Sequence, residues 1–450
     1  MNQNELLGTK KIGPLLAQMA LPAITAQVVN MLYNIVDRIY IGHIPDIGAM
    51  ALTGVGLCFP ILMIITAFSS LIGMGGAPRV SMKLGKKENE GAETVMGGCF
   101  AALLVLAVVL TAAFLICGKP LLYLFGASEN TIGYAQGYMN IYVMGTLFVM
   151  IALGMNPFIT AQGFSTISML TTLIGAIVNI VLDPVFIFVL GMGVQGAALA
   201  TILSQCVSAV WVMYFLTGRK TVLRLKKRNI RLRASVILPV LALGVSPFIM
   251  TSTESLLNIC FNTSLQKFGG DMAVGAMTIM SSVMQMMSLP IQGLAQGAQP
   301  IVSFNYGAGK LDRVKQAFFR LFWISVVVST GFWALNMLIP TLIPSIFAGN
   351  AELKEISGWA NRIYMGGAFM LGVQFSCQQT FIALGEAKIS LFLAFLRKII
   401  LLIPLIFILP NFFGDKVFAV FLAEPVADIL AATTTFGMFA WKFKKIMAKV

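Results

Sequence analysis

The stretch Gly75-Gly76-Ala77-Pro78-Arg79-Val80-Ser81, followed by Gly85, returns 222 positions later as Gly297-Ala298-Gln299-Pro300-Ile301-Val302-Ser303, followed by Gly307. The same offset relates Ile141-Tyr142 to Ile363-Tyr364, Gly163 to Gly385 and Phe125 to Phe347. A single offset held across four apolar stretches marks an internal repeat, and a repeat fixes the architecture before any local reading does. Breaks at Gly, Pro and charged clusters leave twelve apolar segments, at about 13–43, 49–75, 91–116, 132–158, 164–190, 194–217, 235–265, 272–298, 314–346, 354–384, 388–410 and 415–441. Each is long enough for the ~20 residues a spanning helix needs. Six spans per half is an even number, so the second half enters the bilayer from the same side as the first. The repeat is therefore parallel, with its axis along the membrane normal. The sequence predicts an all-α membrane protein of twelve transmembrane helices. They form two six-helix lobes, residues 1–217 and 235–450, around a cleft, with a basic cytoplasmic linker at 218–234 as the tether. Pro22 and Pro247 occupy corresponding spans one and seven, where a lost backbone hydrogen bond can kink a helix.

Composition agrees with a bilayer setting. Of 450 residues, 58% are hydrophobic and 11% charged, against roughly 25% charged in soluble chains. A soluble fold, a disordered chain, a coiled coil and a disulfide-stapled secreted domain are all excluded. The net charge of +14 sits in short clusters between spans. On one side fall 25 Lys and Arg residues, Lys449 among them; only Arg38, Lys119, Lys267, Lys354, Arg362 and Lys416 fall on the other. Cytoplasmic loops retain basic residues, so both termini are expected in the cytoplasm, with the chain in the cell inner membrane. The basic run in the linker lacks interleaved aromatics, and nucleic acid is not an expected partner. The opening MNQNELLGTKKIGPLLAQ does not match a cleavable signal. Six cysteines lie inside apolar stretches without CxxC spacing, and the lone His43 sits in a loop, so no zinc site is expected. The absence of a GxxxxGK[ST] loop argues against ATP drive, and nothing points to an enzyme or an organic cofactor.

Carboxylates inside spans are the sharpest functional signal, since a charge at the bilayer centre costs ~2.5 to 3.5 kcal/mol on insertion scales. Asp37 in span one, Asp183 in span five and Glu254 in span seven stand out. Asn179 lies four residues before Asp183 and shares its helical face, while Pro184 frees a backbone carbonyl. Span six offers small residues for close approach and the hydroxyl of Thr201, one turn from Ala197. Asp37 completes an oxygen-rich site only if span one packs against spans five and six. Such hard oxygens suit a proton or a sodium ion. The competing readings are an Asp37 ion pair with Arg38 and an Asp183 that is merely a buried, hydrogen-bonded acid. With Pro22 aligned on Pro247, Asp37 falls near Asn262, and at the offset of 222 Asp183 meets Leu405, so the acidic coupling groups belong to the first lobe. Glu254 is the exception, a second acid for the cleft or a structural contact. Glu424 and Asp428, one turn apart in span twelve, are partners for Arg397 or Lys398. Tyr33, Asn34, Asn156, Asn258, Gln285, Gln292 and Gln378 are polar candidates for the cleft wall, and the methionines from Met277 to Met287 suit either a pocket that repacks around apolar ligands or ordinary core.

Taken together, these features resemble the MATE (multidrug and toxic compound extrusion) family, in its bacterial MepA-like branch. The resemblance covers essentially the whole chain: twelve spans, a six-plus-six parallel repeat, paired GxxPxVSxxxG-like loops and the VDRIYIG stretch of span one. It implies an antiporter with a V-shaped chamber that exchanges external sodium or protons for cationic, aromatic drug-like compounds. It also implies a cation site at Asp37, Asn179, Asp183 and Thr201, with the Ala197 carbonyl as a ligand. An acidic residue that some branches carry in span ten has no counterpart between Ile363 and Leu384, against a second cation site of that kind. The expected partners are thus drug-like molecules, H+ or Na+ and the lipid bilayer, and the expected state is a monomer. A lipid-linked oligosaccharide flippase is the runner-up, disfavoured because the basic residues lie in loops rather than the cleft. A major-facilitator-type symporter shares the span count but usually carries other loop motifs.

Overall fold

Every backbone N–H and C=O in hydrocarbon needs a partner, and a helix supplies one internally. The chain follows this rule, with helices and no strand among the described residues. The computed structural model describes residues 3–347 and 351–448; Lys449 of the basic count lies outside them. A short helix α1 (Gln3–Thr9) leads into α2 (Ile12–Gly42), α3 (Gly48–Gly85) and α4 (Asn89–Leu124). Then come α5 (Ile132–Met144), α6 (Thr146–Ala161), α7 (Ser165–Pro184) and α8 (Gly193–Thr217). The second half holds α9 (Ala234–Gly307), α10 (Leu311–Leu338), α11 (Pro344–Phe347), α12 (Ala351–Tyr364) and α13 (Leu371–Ala383). It ends with α14 (Ala387–Phe395), α15 (Ile403–Ile408) and α16 (Lys416–Met447).

Nine helical stretches among the described residues are long and apolar enough to cross a bilayer, and α5 with α6, bent by 58°, makes a tenth. The 74 residues of α9 would reach about 110 Å at the helical rise, several times a hydrocarbon core of ~30 Å. They are two crossings, broken at Gly270, whose φ of 64° and ψ of −161° lie outside helical values. Helices α12 and α13, joined by the 3-10 turn Met365–Met370, form the remaining one. Twelve crossings result, six on each side of the 218–234 segment.

Two expectations need correction. The repeated glycine-proline motif does not form loops. It lies inside α3 and α9, which run on to Gly85 and Gly307, well past the expected ends at 75 and 298. Both helices run on through Pro78 and Pro300, as membrane helices can where packed neighbours surround the freed backbone groups. The 218–234 segment is not a bare tether either. Gln162 Oε1 accepts hydrogen bonds from Thr221 Oγ1 at 2.8 Å and from the amides of Val222 and Leu223 at 3.1 and 2.8 Å. Glu93 accepts from the Arg224 amide at 3.1 Å and from Lys226 Nζ at 2.6 Å. With Leu223 and Leu225 buried, the basic segment is a strap laid on the first lobe. Its alternating apolar side chains, outnumbered by charge in the sequence, hold it down.

The repeat extends to single atoms. Ser81 Oγ donates to the Ala161 carbonyl at 2.8 Å, and Ser303 Oγ donates to the Ala383 carbonyl at 2.8 Å. Both pairs are related by the 222-residue offset. Gly163 and Gly385, also related, both take positive φ, 92° and 79°, which only glycine adopts freely. The lobes meet where α3 packs along α9. A Cβ on Gly85 would fall on the Phe304 carbonyl, and a Cβ on Gly307 would fall on that of Met82. Each contact is the symmetry mate of the other, as in an isologous interface.

Candidate functional site

Asn179 and Asp183 sit one turn apart on α7, on the face that packs toward α2 and α8. Both are fully buried, at 1% and 0% exposure. Asn179 Nδ2 donates to Asp183 Oδ1 at 3.3 Å and lies 3.5 Å from Thr201 Oγ1 on α8. Thr201 Oγ1 in turn donates to the Ala197 carbonyl at 3.0 Å, so one lone pair of that carbonyl is already taken. From α2, the Asp37 carboxyl comes within hydrogen-bonding reach of the Asp183 carboxyl. The condition set by the sequence, that span one must pack on spans five and six, describes the observed packing.

Three acceptor oxygens in this cluster, Asp37 Oδ1, Asn179 Oδ1 and Asp183 Oδ2, are buried without a hydrogen-bond partner. The ion pairs among the described residues lie elsewhere: Lys83–Glu88, Lys226–Glu93, Arg228–Glu90, Arg397–Glu424, Arg397–Asp428, Lys398–Glu254 and Lys442–Glu386. Arg38 does not close on Asp37; its guanidinium stands over the Phe59 ring, 6.0 Å from the centroid. Two carboxyl groups in contact, away from water and without a basic partner, need a proton or a cation between them to offset like-charge repulsion. The donors are carboxylate, amide and hydroxyl oxygens, a hard set suited to H+ or Na+. No group of three or more His, Cys, Asp or Glu side chains that could hold a metal occurs among the described residues, so a transition-metal centre does not fit the donor set.

Sequence reasoning missed the aromatic wall of this site. Tyr138 on α5 is buried against α8 and stands near Asp37, and its ring stacks on Tyr142 with centroids 6.0 Å apart. The signal was available: Tyr134, Tyr138 and Tyr142 recur every four residues and so share one helical face. Next to the dyad lies a cavity of about 270 Å³ between the lobes. Gln27, Asn30, Tyr33 and Asn156 line it from the first lobe, Gln296 and Gln299 from the second. Gln27 Nε2 donates to Gln296 Oε1 at 3.1 Å across the seam, a polar contact the sequence did not single out.

Of the cleft candidates, Tyr33 and Asn156 therefore line the cavity, Asn156 oriented by Thr171 Oγ1, which donates to its Oδ1 at 2.9 Å. The others stand elsewhere. Asn34 donates to the Asn30 carbonyl of its own helix at 2.6 Å, and Asn258 likewise to Glu254 at 3.0 Å. Gln285 is exposed and Gln292 half-buried, outside the lining. Gln378 is buried in the second lobe, where it accepts from Gln374 Nε2 at 3.0 Å and faces Ser246 and Met250. Glu254 pairs with Lys398 and is exposed, outside the lining of this cavity. Polar identity placed these residues on spans; only side-chain direction could say which face of each span they occupy.

The MatE family model matches this chain over residues 22–185 and 247–408, one copy in each lobe. The multidrug export protein MepA of Staphylococcus saprophyticus is 22% identical over 414 residues, covering 92% of this chain and 91% of that protein. MepA of Staphylococcus aureus is 24% identical over 426 residues, with coverage of 92% and 91%. Among solved structures, an outward-facing multidrug resistance MATE family transporter of the MOP superfamily superposes with a TM-score of 0.91 at 22% identity, over 100% of this chain and 99% of that one. A MOP superfamily transporter from Pyrococcus furiosus, whose binding pocket is described as reversed in polarity, gives 0.92 at 22% identity over 99% of both chains. These structural likenesses speak for the fold alone.

Proposed function

We propose, from the premise that this chain belongs to the MatE family, that it is a cation-coupled multidrug antiporter that exports cationic or amphipathic organic compounds by alternating access. The observation that carries the reading is the meeting of Asp37 and Asp183 with three buried, unpartnered acceptor oxygens and no ion pair to a basic side chain among the described residues. A proton or sodium ion entering there satisfies oxygens that nothing in the protein satisfies. Asp37 and Tyr33 are one turn apart on α2, so the ion site and the wall of the inter-lobe cavity share a helix. An ion that favours one arrangement of α2 shifts the population of lobe states by its differential affinity, and a drug in the cavity favours the other. The amide and tyrosine lining suits molecules with both apolar and polar faces, in keeping with relatives described as multidrug exporters. The protein acts as a monomer in the cell inner membrane, with both termini and the basic strap in the cytoplasm.

The test is purified protein in liposomes, a sodium or pH gradient and a fluorescent cationic dye. Dye movement under at least one gradient, lost in Asp183→Asn, supports the reading. Full activity in Asp183→Asn removes that residue from coupling, and no movement under either gradient overturns the antiport mechanism in favour of a flippase.

A further inference from the structure

The basic strap between the lobes is held more firmly than a linker needs to be. Besides its bonds to Gln162 and Glu93, it folds back on the end of α8, where the Leu225 amide donates to the Leu216 carbonyl at 2.9 Å. Leu223 and Leu225 are buried while Arg224 between them is exposed, as in an extended chain whose side chains alternate. Arg219, Lys220, Arg224, Lys227, Arg231 and Arg233 are all exposed, and none of them belongs to an ion pair among the described residues. Only Lys226 and Arg228 of the strap are paired, with Glu93 and Glu90. The helices at its two ends set its depth. Between Glu93 and Lys119, α4 carries no charge, and ~20 residues of that stretch cross the hydrocarbon. Gly97 and Gly98, one turn past Glu93, therefore stand at the hydrocarbon edge. The strap passes them in contact: a Cβ on Gly97 would fall on the Asn229 carbonyl, and one on Gly98 would press on Val236. At the other end Tyr214, 74% exposed in the last turn of α8, marks the same level, since tyrosines collect at the membrane–water interface.

A bias of basic residues toward one side of the bilayer needs charge alone; it needs neither a pinned backbone nor buried leucines. We propose that the strap is a docking surface for anionic phospholipid headgroups, with its uncommitted arginines and lysines held at the depth of the lipid phosphates. Guanidinium groups take phosphate oxygens in bidentate pairs, and a backbone already fixed loses less entropy when they do. Leu232, 54% exposed between Arg231 and Arg233, offers an apolar side chain to the acyl chains beside two phosphate ligands. The ligand is a phosphodiester with net negative charge, of the kind phosphatidylglycerol carries, in the cytoplasmic leaflet. That leaflet follows from the orientation proposed for the chain. The surface is separate from the ion and drug sites, since no residue of the strap lines the inter-lobe cavity.

The experiment reads local lipid composition at the strap. A fluorophore is placed by Leu232→Cys in the full-length chain, with Cys117→Ser and Cys206→Ser to remove the other accessible thiols. The protein is set in phosphatidylcholine vesicles that carry a small fraction of nitroxide-labelled phosphatidylglycerol or nitroxide-labelled phosphatidylcholine. Each basic residue at an anionic headgroup contributes about fivefold in affinity, so quenching by the phosphatidylglycerol label is expected to report at least roughly fivefold local enrichment. Raising the salt concentration should shrink it. Arg224→Gln, Lys227→Gln and Arg231→Gln together should bring the two labels to within about twofold of each other. Lys315→Gln, Lys444→Gln and Lys445→Gln, which remove the same charge from exposed positions on α10 and α16, should leave the enrichment in place. If the triple strap variant fails to fold, Arg231→Gln alone and the salt series on the parent still decide. Equal quenching by the two labels in the parent, or enrichment that survives the strap substitutions, overturns the proposal. Enrichment lost equally in the control variant, or abolished by millimolar glycerol phosphate in the buffer, overturns it too, in favour of diffuse charge or a free phosphate ester. Vesicles of one composition in both leaflets make the readout independent of orientation, and no transport enters it, so its failure is distinct from a failure of the antiport reading.

Discussion

The two lobes share a backbone and differ in charge. Ser81 and Ser303 make the same hydrogen bond to carbonyls 222 residues apart, and Gly85 and Gly307 press on one another's lobe in the same way. Yet Asp37 and Asp183, the acids of the first lobe set inside its spans, face each other with no ion-pair partner, whereas Glu254, Glu424 and Asp428 of the second are bound to Arg397 and Lys398. Packing constrains the positions where helices touch, because backbone carbonyls leave no room for a Cβ. It does not constrain which lobe carries an open acid. The repeat is therefore a scaffold on which one lobe keeps unsatisfied oxygens and the other satisfies most of its own.

The sharpest way to break that contrast is to equalise the lobes. Asp183→Asn leaves the amide shape but removes the carboxylate that faces Asp37. Efflux of a cationic dye is expected to fall by at least roughly tenfold, the change that ~1.4 kcal/mol of lost ion preference produces, while thermal stability holds or rises. Efflux at the parent rate would mean that the open acids of the first lobe are structural. The converse variant is Arg397→Met, which strips the second lobe's acids of their cation. Removing one partner of a buried ion pair costs about 3 to 5 kcal/mol, so the expected result is a large drop in the thermal unfolding midpoint in detergent. An unshifted midpoint would show that Asp428 and Glu424 are already neutral without Arg397.

Much of this was legible in the sequence because it follows from repetition and hydropathy. The number of spans, the gap between spans seven and eight and the pairing of Asn179 with Asp183 rest on hydropathy and helical spacing, whereas the ends of spans two and eight, at Gly85 and Gly307, were not legible that way. The meeting of Asp37 with Asp183 was legible only as a condition, since helix order in a bundle is not written in any one helix. The cleft wall was largely hidden. Gln27, Gln296 and Gln299 line the cavity while Gln285 and Gln292, chemically alike and on the same helix α9, do not. Spaced by seven, four and three residues, these glutamines of α9 fall close to one helical face, so what divides them is height along the helix, and no periodicity in the sequence says at what depth the cavity lies. The strap was read as a tether because its buried Leu223 and Leu225 are outnumbered by basic residues whose side chains extend into solvent.

A smaller effect tests the seam. Gly85→Val places side-chain atoms on the Phe304 carbonyl, and overpacking typically costs about 1 to 3 kcal/mol. The lobes are expected to separate at this end, read as a lengthened distance between spin labels on the two lobes together with a lowered unfolding midpoint. Gly307→Val should do the same through Met82, since the two contacts are one contact seen twice. A loss confined to one of them would mean that the pseudo-symmetry of the backbone does not extend to its energetics.

The finest comparison sets Ser81 against Ser303. Each hydroxyl is buried and reaches one carbonyl of the helix behind it at 2.8 Å. Interhelical hydrogen bonds in membrane proteins average about 0.6 kcal/mol, so Ser81→Ala and Ser303→Ala should each lower stability by roughly that amount. Because the two hydroxyls share no partner, the losses should add within ~0.3 to 0.5 kcal/mol in the double variant. Function separates them where stability does not. Ser81 lines the inter-lobe cavity and Ser303 does not, so dye affinity is expected to shift in Ser81→Ala and to stay at the parent value in Ser303→Ala. Equal shifts in both would place the drug on the symmetry axis rather than against the first lobe. That outcome would detach the substrate from the helix that carries Asp37 and weaken the link between ion and drug on which coupling depends.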